Sequence, residues 1–228
     1  MSARLMICFE KGDEVRFLSH LDLMRTLQRA FRRADVPLFF SQGFNPHPVM
    51  AFASALGVGI ASVREYMEVT LRHECPVELF LQRMQPALPT GLRMHTAVFL
   101  PENAPSLMAA LSDSDYQIQV TDTMEKGTQI GNAVPLLLAQ QDAVVERTSK
   151  HGTRNMDIRP GIHSLVWDDG LHARLASGSQ LSIRPKEVLQ ALCGIAKIDE
   201  LPSFTVTRLE CYVGERTMAE WARNGAVS

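Results

Sequence analysis

The alternation of apolar and polar residues predicts a strand and then an amphipathic helix near the start of the chain. Residues 4–10 are apolar and rich in strand-forming side chains. Ser19 offers a helix N-cap with Asp22 three residues later, and neither Gly nor Pro follows until after Ala34. At 100° per residue, the apolar side chains of this helix share one face. The opposite face carries four arginines, namely Arg25, Arg29, Arg32 and Arg33.

Further strand and helix signals complete the order β-α-β-β-α-β in the first half. Pro37 ends the first helix, and two extended segments flank a turn-rich stretch at 43–48. A third extended segment covers residues 65–72. Pro76 then opens a second helix, and residues 92–100 form the last strand of the set.

The second half of the chain predicts the same order of elements. A strand at 115–121 precedes a helix that Pro135 interrupts. Further strands follow, two of which turn at Asp169 and Gly170. Pro185 opens another helix, and a strand at 204–213 closes the set, so the two halves share one plan.

We therefore predict an α+β protein of two ferredoxin-like (βαββαβ) modules side by side, each with an antiparallel sheet. The N-terminal module covers residues 1–100, and a connector covers 101–115. The C-terminal module covers residues 116–215, and a tail covers 216–228. Element order alone supports this duplication, because the two halves show no sequence repeat.

Composition and charge describe a globular protein with a local basic region. The chain has 228 residues, of which 46% are hydrophobic, so it can bury a sizeable core. A net charge of −2 argues against a polyanion partner, yet residues 15–64 hold six arginines and two aspartates. The arginine face of the first helix is either a phosphate-binding stripe or a solvated surface, and the absence of interleaved acids keeps both interpretations open.

Cysteine usage and hydropathy favour a cytoplasmic protein outside the membrane. The four cysteines are dispersed without a CxxC pair, and no signal-like apolar stretch follows the first Met. The uncharged run at 36–63 contains prolines and polar side chains that would be costly in lipid. We expect a reducing compartment and no transmembrane helix.

The most unusual stretch is SQGFNPHP, residues 41–48. Asn45 and His47 each precede a proline, which favours extended backbone and a stiff loop. Gly43 permits a tight turn, and Phe44 offers a face on which a base can stack. The candidate ligand-binding residues of this loop are Ser41, Gln42, Gly43, Phe44, Asn45 and His47. The structural alternative is a rigid hairpin without a ligand.

Three residues are candidates for general acid or base chemistry. His20 projects from the apolar face of the first helix, where a buried neutral imidazole is the favoured interpretation over a catalytic one. His47 is its candidate partner, and Asp157 is the single candidate for aspartate chemistry. Asp157 and Arg159 are expected on one strand face, where they form either a salt bridge or, with Arg154, an anion site. No metal site is predicted.

Residues 16–71 resemble the radical-SAM-associated family of proteins of unknown function, and NMDIRPGI at 155–162 resembles the family's second motif. The signature positions carried over by this resemblance are Ser19, His20, Asp22, Arg25, Ser41, Gln42, Gly43, Asn45, Pro46, His47, Glu65 and Tyr66. Val49 departs from the pattern, because many relatives carry a basic residue there. The resemblance implies an accessory to a radical SAM enzyme, with no cofactor of its own.

Three functions follow as hypotheses. The first is a binding module that presents RNA, or an RNA-bound substrate, to a radical SAM partner, with Arg25, Arg29 and Arg32 holding phosphates. The second is a metal-independent RNA-processing or RNA-modifying enzyme that uses His20 and His47, or Asp157. The third is a protein-protein adaptor for the radical SAM partner without nucleic acid contact. A non-catalytic role is favoured, and the sequence does not determine the oligomeric state.

Overall fold

The computed structural model describes residues 2–149 and 152–226, which form a mixed α+β fold with mostly antiparallel strands. The chain divides into two compact units. The first unit contains the residues up to Ser112 and those from Glu210 onward, and the second contains Asp113–Leu209. Within the described ranges, no helix has the length and apolar character needed to cross a bilayer.

The strands, in chain order, are β1 (Ala3–Lys11), β2 (Met50–Phe52), β3 (Ile60–Leu71), β4 (Leu92–Leu100), β5 (Asp113–Val120), β6 (Val144–Ser149), β7 (Gly152–Asp157), β8 (Ile162–Trp167), β9 (Leu171–Ala176), β10 (Phe204–Val213) and β11 (Arg216–Thr217). The α-helices are α1 (His20–Arg33), α2 (Val77–Met84), α3 (Leu107–Ala110), α4 (Met124–Leu138), α5 (Pro185–Ala196) and α6 (Met218–Arg223).

The sheet of the first unit contains β1 to β4 in the order β4-β1-β3-β2, and every neighbouring pair in this series is antiparallel. Side chains of β1 alternate between its two faces, as strand geometry requires. Leu5, Ile7 and Phe9 join the core that α1 and α2 cover. Met6 and Cys8 join a second core on the opposite face, to which α3 and α6 contribute. The sheet of this unit is therefore buried on both faces.

Helix α1 confirms the helix predicted from the periodicity. Ser19 is its N-cap, and the apolar face is buried through Leu23, Leu27, Ala30 and Phe31. The helix ends before Asp35, whose φ of 52° is left-handed, and Pro37 prevents a longer helix. The arginine side of the helix faces solvent as a consequence.

The second unit contains a sheet and a separate hairpin. Its sheet has the order β10-β5-β9-β8, in which β10 contributes residues up to Leu209, and α4 packs against α5. The separate hairpin β6-β7 lies between α4 and β8 in the chain. Pro135 lies in the last turn of α4, and the helix continues through it although proline has no N–H to donate to the carbonyl four residues earlier.

The segments predicted as connector and tail contain regular structure. Residues 101–115 include α3, which Ser106 caps, and the start of β5. Of the predicted tail 216–228, the described part forms β11 and α6, and residues 227 and 228 lie outside the described residues. Trp221 is 1% exposed in the second core of the first unit, so apolar side chains tie this segment to the sheet.

Candidate functional site

The signature residues at the start of α1 are bonded to one another. Ser19 Oγ donates to Asp22 Oδ2 at 2.6 Å and accepts the N–H of Asp22 at 3.2 Å. Asp22 also pairs with Arg25 at 3.6 Å, between side chains that are both more than half exposed. An exposed pair of this kind contributes little to stability. Ser19 and Asp22 therefore shape the helix start, and Arg25 stays accessible to an anion.

A buried lysine donates hydrogen bonds to the main chain just before the start of α1. The Lys11 side chain is 1% exposed, and its Nζ donates to the carbonyls of Arg16 at 2.9 Å, Leu18 at 3.3 Å and Ile60 at 3.2 Å. A buried ammonium requires such acceptors to offset lost hydration. The role of Lys11 was not predicted, because in the sequence it is only a charged residue at the end of an apolar strand.

The two candidate histidines lie in different surroundings. His20 is half-buried, and its ring packs edge-on against Phe52, with centroids 4.9 Å apart. His47 is exposed and belongs to the loop before β2. Phe52 lies five positions after His47 in a largely extended segment, a separation of about 16 Å at 3.3 Å per residue. The His20 ring, which contacts Phe52, therefore lies at the opposite end of this segment from His47.

Residues 41–48, the signature loop, form a closed hairpin tip. Phe40 and Pro48 form a bridge at its base, and the Ser41 N–H donates to the His47 carbonyl at 2.9 Å. Ser41 Oγ also accepts the His47 N–H at 3.2 Å and lies 2.9 Å from His47 Nδ1. Gly43 has a φ of 135°, which other residues rarely adopt. Ser41 and His47 thus close the loop.

The tip of the signature loop presents its remaining side chains to solvent. Gln42, Asn45 and Pro46 are exposed, and Phe44 is completely exposed. A fully exposed aromatic ring keeps both of its faces accessible to a stacking partner. The loop therefore offers amide groups and a stacking surface on a preformed backbone.

Three of the four predicted arginines form an exposed stripe along α1. Arg25, Arg29 and Arg32 recur at intervals of four and three residues and span about 10 Å of the helix axis. Within residues 2–149 and 152–226, Arg29 and Arg32 have no ion-pair or hydrogen-bond partner. Arg33 differs, because its guanidinium donates to the Ala87 carbonyl at 2.5 Å. We call Arg25, Arg29 and Arg32 the arginine stripe.

Two clefts open at the base of the signature loop and share Phe40 and Arg72. The first, the loop cleft, has a volume of 480 Å³ and is also lined by Ser41, Gln42 and Pro46. The second, the helix cleft, has a volume of 660 Å³ and extends along α2. Arg72 was not predicted as a site residue, because nothing in its local sequence pattern shows that the chain from Pro37 to Phe40 lies beside it.

The signature pair Glu65 and Tyr66 is buried within the first unit. The Tyr66 hydroxyl donates to Glu210 Oε1 at 2.7 Å, and Arg64 Nη1 donates to Glu210 Oε2 at 2.9 Å. Burial is the main reason that the pKa of Tyr66 is raised. Burial is also the main reason that the pKa of the neighbouring Cys8 thiol is raised to about 11. Glu210 in turn raises the pKa of Arg64. The Tyr66 hydroxyl is therefore buried in a hydrogen bond within the first unit and is not exposed to a ligand.

The candidate residues of the second unit bind the main chain. Asp157 Oδ1 accepts the N–H groups of Ala143 at 2.8 Å and Arg159 at 3.0 Å. The Arg159 guanidinium donates to three carbonyls, those of Leu138 at 2.9 Å, Gln140 at 3.2 Å and Ile162 at 3.2 Å. Asp157 ends β7 and Arg159 opens a 3₁₀ turn, so the expected shared strand face is not formed.

Arg154 is placed differently from these two residues. It is exposed on β7, opposite Arg147 in the hairpin. Arg147 is itself paired with the buried Glu187 of α5 at 2.5 Å. In this unit Arg154 is the one predicted site residue whose charged group faces solvent.

Residues 4–185 match the family described as "uncharacterized protein conserved in bacteria" (DUF2344). The chain belongs to this family. The matched range includes α1, the signature loop and the 155–162 motif. No curated protein matches this sequence significantly.

One similar solved structure is titled an unknown protein from Galdieria sulphuraria. It shares 13% identity over 91% of this chain and 99% of its own length, with a TM-score of 0.28. A similarity of this size supports no argument about fold or function, so the DUF2344 assignment rests on the family match.

Proposed function

We propose that this chain is an accessory module that binds RNA, or an RNA-bound substrate, and presents it to a radical SAM partner enzyme. The observation that carries the proposal is the arginine stripe, whose Arg29 and Arg32 are exposed and unpaired within the described residues. Guanidinium groups on one helix face can neutralise successive backbone phosphates. A local basic surface of this kind is compatible with the overall charge of −2.

The signature loop supports base recognition in the same unit. Phe44 provides a stacking surface, and the Gln42 and Asn45 amides provide donors and acceptors for base edges. The Ser41–His47 contacts hold the loop in one conformation before a ligand binds, which lowers the entropic cost of binding. Phosphate contacts from α1 and base contacts from the loop would therefore have separate roles.

We infer that each unit is a ferredoxin-like module. The supporting observation is that both sheets have the same order when strands are numbered within a unit: last, first, third, second. The first unit reads β1-α1-β2-β3-α2-β4, and the second reads β5-α4-β8-β9-α5-β10 around the inserted hairpin. Paired modules of this type also occur in RNA-handling proteins, which is an analogy of fold only.

The radical SAM partner is proposed from the signature resemblance. The chain brings no cofactor of its own under this proposal, and the partner supplies the iron–sulfur chemistry. An adaptor function is the second candidate, because Phe17, Leu21 and Val58 are each at least 60% exposed around the start of α1. The enzyme alternative has less support, since His20 and His47 lie apart and Asp157 binds main-chain N–H groups.

Fluorescence anisotropy with labelled RNA at increasing salt tests the RNA-binding proposal. We expect Arg25→Ala combined with Arg29→Ala to weaken binding at least tenfold, about 1.4 kcal/mol, at low salt. The slope of log K against log salt should fall by about 1.4, because two single-strand phosphate contacts are lost. The matched control removes two other exposed arginines, Arg93 and Arg223. Undetectable binding at low salt, or equal effects of the two double variants, would contradict the proposal.

A further inference from the structure

Arg72 lies at the boundary between the loop cleft and the helix cleft. We infer that Arg72 binds a backbone phosphate of single-stranded RNA, and that the two clefts receive the nucleosides on either side of it. This inference rests on the proposed RNA-binding function and specifies its ligand. The juxtaposition that carries it is one arginine lining two clefts of 480 and 660 Å³.

The main chain holds Arg72 in place at two points. Its N–H donates to the Pro37 carbonyl at 2.7 Å, and its Nε donates to the Leu38 carbonyl at 3.2 Å. These bonds leave the terminal Nη groups available, and within residues 2–149 and 152–226 no carboxylate lies within ion-pair distance of them. A guanidinium oriented in this way is preorganised to donate two parallel hydrogen bonds to phosphate oxygens.

The loop cleft has the composition expected of a nucleoside site. Phe39 and Phe40 are half-buried aromatic residues, and Ser41 and Gln42 supply polar groups. Arg72 is the charged side chain among the residues that line it. Its 480 Å³ falls within the range of small-ligand clefts, about 300–1,000 Å³. A neutral base and sugar suit this lining, with the phosphate placed at its charged edge.

The helix cleft is larger and carries charges of both signs. Arg72 and Arg83 line it together with the carboxylates of Asp35 and Glu74. The two carboxylates offset the two guanidinium groups, so the lining offers no net positive charge to attract a polyphosphate. A phosphodiester carries one negative charge and suits the single oriented guanidinium. The lining therefore favours a phosphodiester linkage over a nucleoside triphosphate.

The position of the clefts favours single-stranded RNA over a duplex. A base in an A-form helix is paired and stacked, so it must leave the stack before it can enter a cleft. Two clefts that flank one phosphate site would require two adjacent bases to unstack. A single strand can separate neighbouring bases at a lower cost, and exposed Phe44 adds a stacking surface beside the loop cleft.

Binding of a labelled single strand of about ten nucleotides, compared with the same sequence as a duplex, tests this inference. We expect Arg72→Gln to weaken single-strand binding about tenfold or more and to leave duplex binding unchanged. Arg72→Lys should restore part of the affinity, because it keeps the charge and loses the guanidinium fork. Arg93→Gln is the matched control, since Arg93 is exposed and lies outside both clefts.

A second measurement separates loss of binding from loss of folding. Ultraviolet crosslinking of 4-thiouridine RNA to the unsubstituted protein should map to residues 39–42 and to residues 72–80. Crosslinks confined to other segments would overturn the inference, as would equal binding by Arg72→Gln and Arg93→Gln in a protein that binds RNA. RNA binding that depends on the arginine stripe alone would leave the proposed function intact. Absence of all RNA binding would overturn both.

Discussion

Buried polar side chains of the first unit have hydrogen-bond partners in the backbone and in other side chains. Lys11 donates to three carbonyls, and Glu210 accepts hydrogen bonds from Tyr66, from Arg64 and from the Cys211 N–H at 2.9 Å. Removing one partner from such a cluster costs more than forming it contributes, because the remaining group stays desolvated. Among the described residues, no buried side-chain nitrogen or oxygen lacks a hydrogen-bond partner.

The buried Cys8 thiol should make the stability of the protein depend on pH in the alkaline range. Burial raises its pKa from an ordinary value of 9.0 to about 11, so the unfolded chain loses this proton at lower pH than the folded protein. The contribution of the protonated Cys8 thiol to the free energy of unfolding is complete below pH 9 and is lost as the pH rises towards 11. We expect the free energy of unfolding to fall by roughly 3 kcal/mol over this window from Cys8 alone.

Urea denaturation at several pH values between 8 and 11 measures this effect. The Cys8→Ala variant should show a shallower decline with pH, because it retains the tyrosine ionisations but lacks the thiol. The difference between the two curves isolates Cys8. Parallel curves for the two proteins would show that the Cys8 thiol does not ionise differently on unfolding.

Among the secondary-structure elements, α1 has one side that packs in the core and an opposite side that carries the proposed phosphate-binding residues. Its apolar side is part of the core, and Arg25, Arg29 and Arg32 lie on the other side. The periodicity predicted both faces because helix geometry is local. The same reasoning could not predict that Arg33 would bond to Ala87, since that contact depends on the chain 54 residues later.

Two helical glycines give opposite predictions for the same substitution. An added Cβ at Gly131 in α4 would lie 2.8 Å from the Trp167 ring, whereas one at Gly194 in α5 would meet nothing within 4 Å. We expect Gly194→Ala to stabilise the protein by about 0.5–1 kcal/mol through helix propensity. Gly131→Ala should destabilise it by about 1–3 kcal/mol through overpacking. Thermal and urea unfolding measure both changes, and a gain in stability from Gly131→Ala would contradict the packing described for α4.

At the scale of the whole molecule, the ends of the chain help to build the first unit. This unit combines the residues up to Ser112 with those from Glu210 onward. Helix α6 contributes Met218 and Trp221 to the core on the second face of the sheet. Covering both faces of a sheet removes its apolar side chains from water, which explains why residues predicted as a tail form a buried helix.

Trp221→Ala tests whether this segment stabilises the fold. We expect a loss of about 3–5 kcal/mol in the free energy of unfolding, because a large and almost completely buried side chain is replaced by a cavity. Trp167 remains as the fluorescent reporter in urea denaturation. Met124→Ala is the control, since Met124 is 92% exposed and its loss should change stability by less than about 0.5 kcal/mol. Equal stabilities of the two variants would contradict a structural role for α6.

Local sequence patterns were sufficient to predict the first strand, helix α1 and the candidate loop. Strand alternation, the Ser19 cap and the proline-rich 41–48 segment act over a few residues, so their patterns can be interpreted without tertiary contacts. The contacts between distant side chains, in contrast, depend on the three-dimensional fold. Arg72 adjoins residues of the signature loop, and Tyr66 bonds to Glu210, 144 residues away. Such long-range contacts depend on strand order and register, which no short sequence pattern contains.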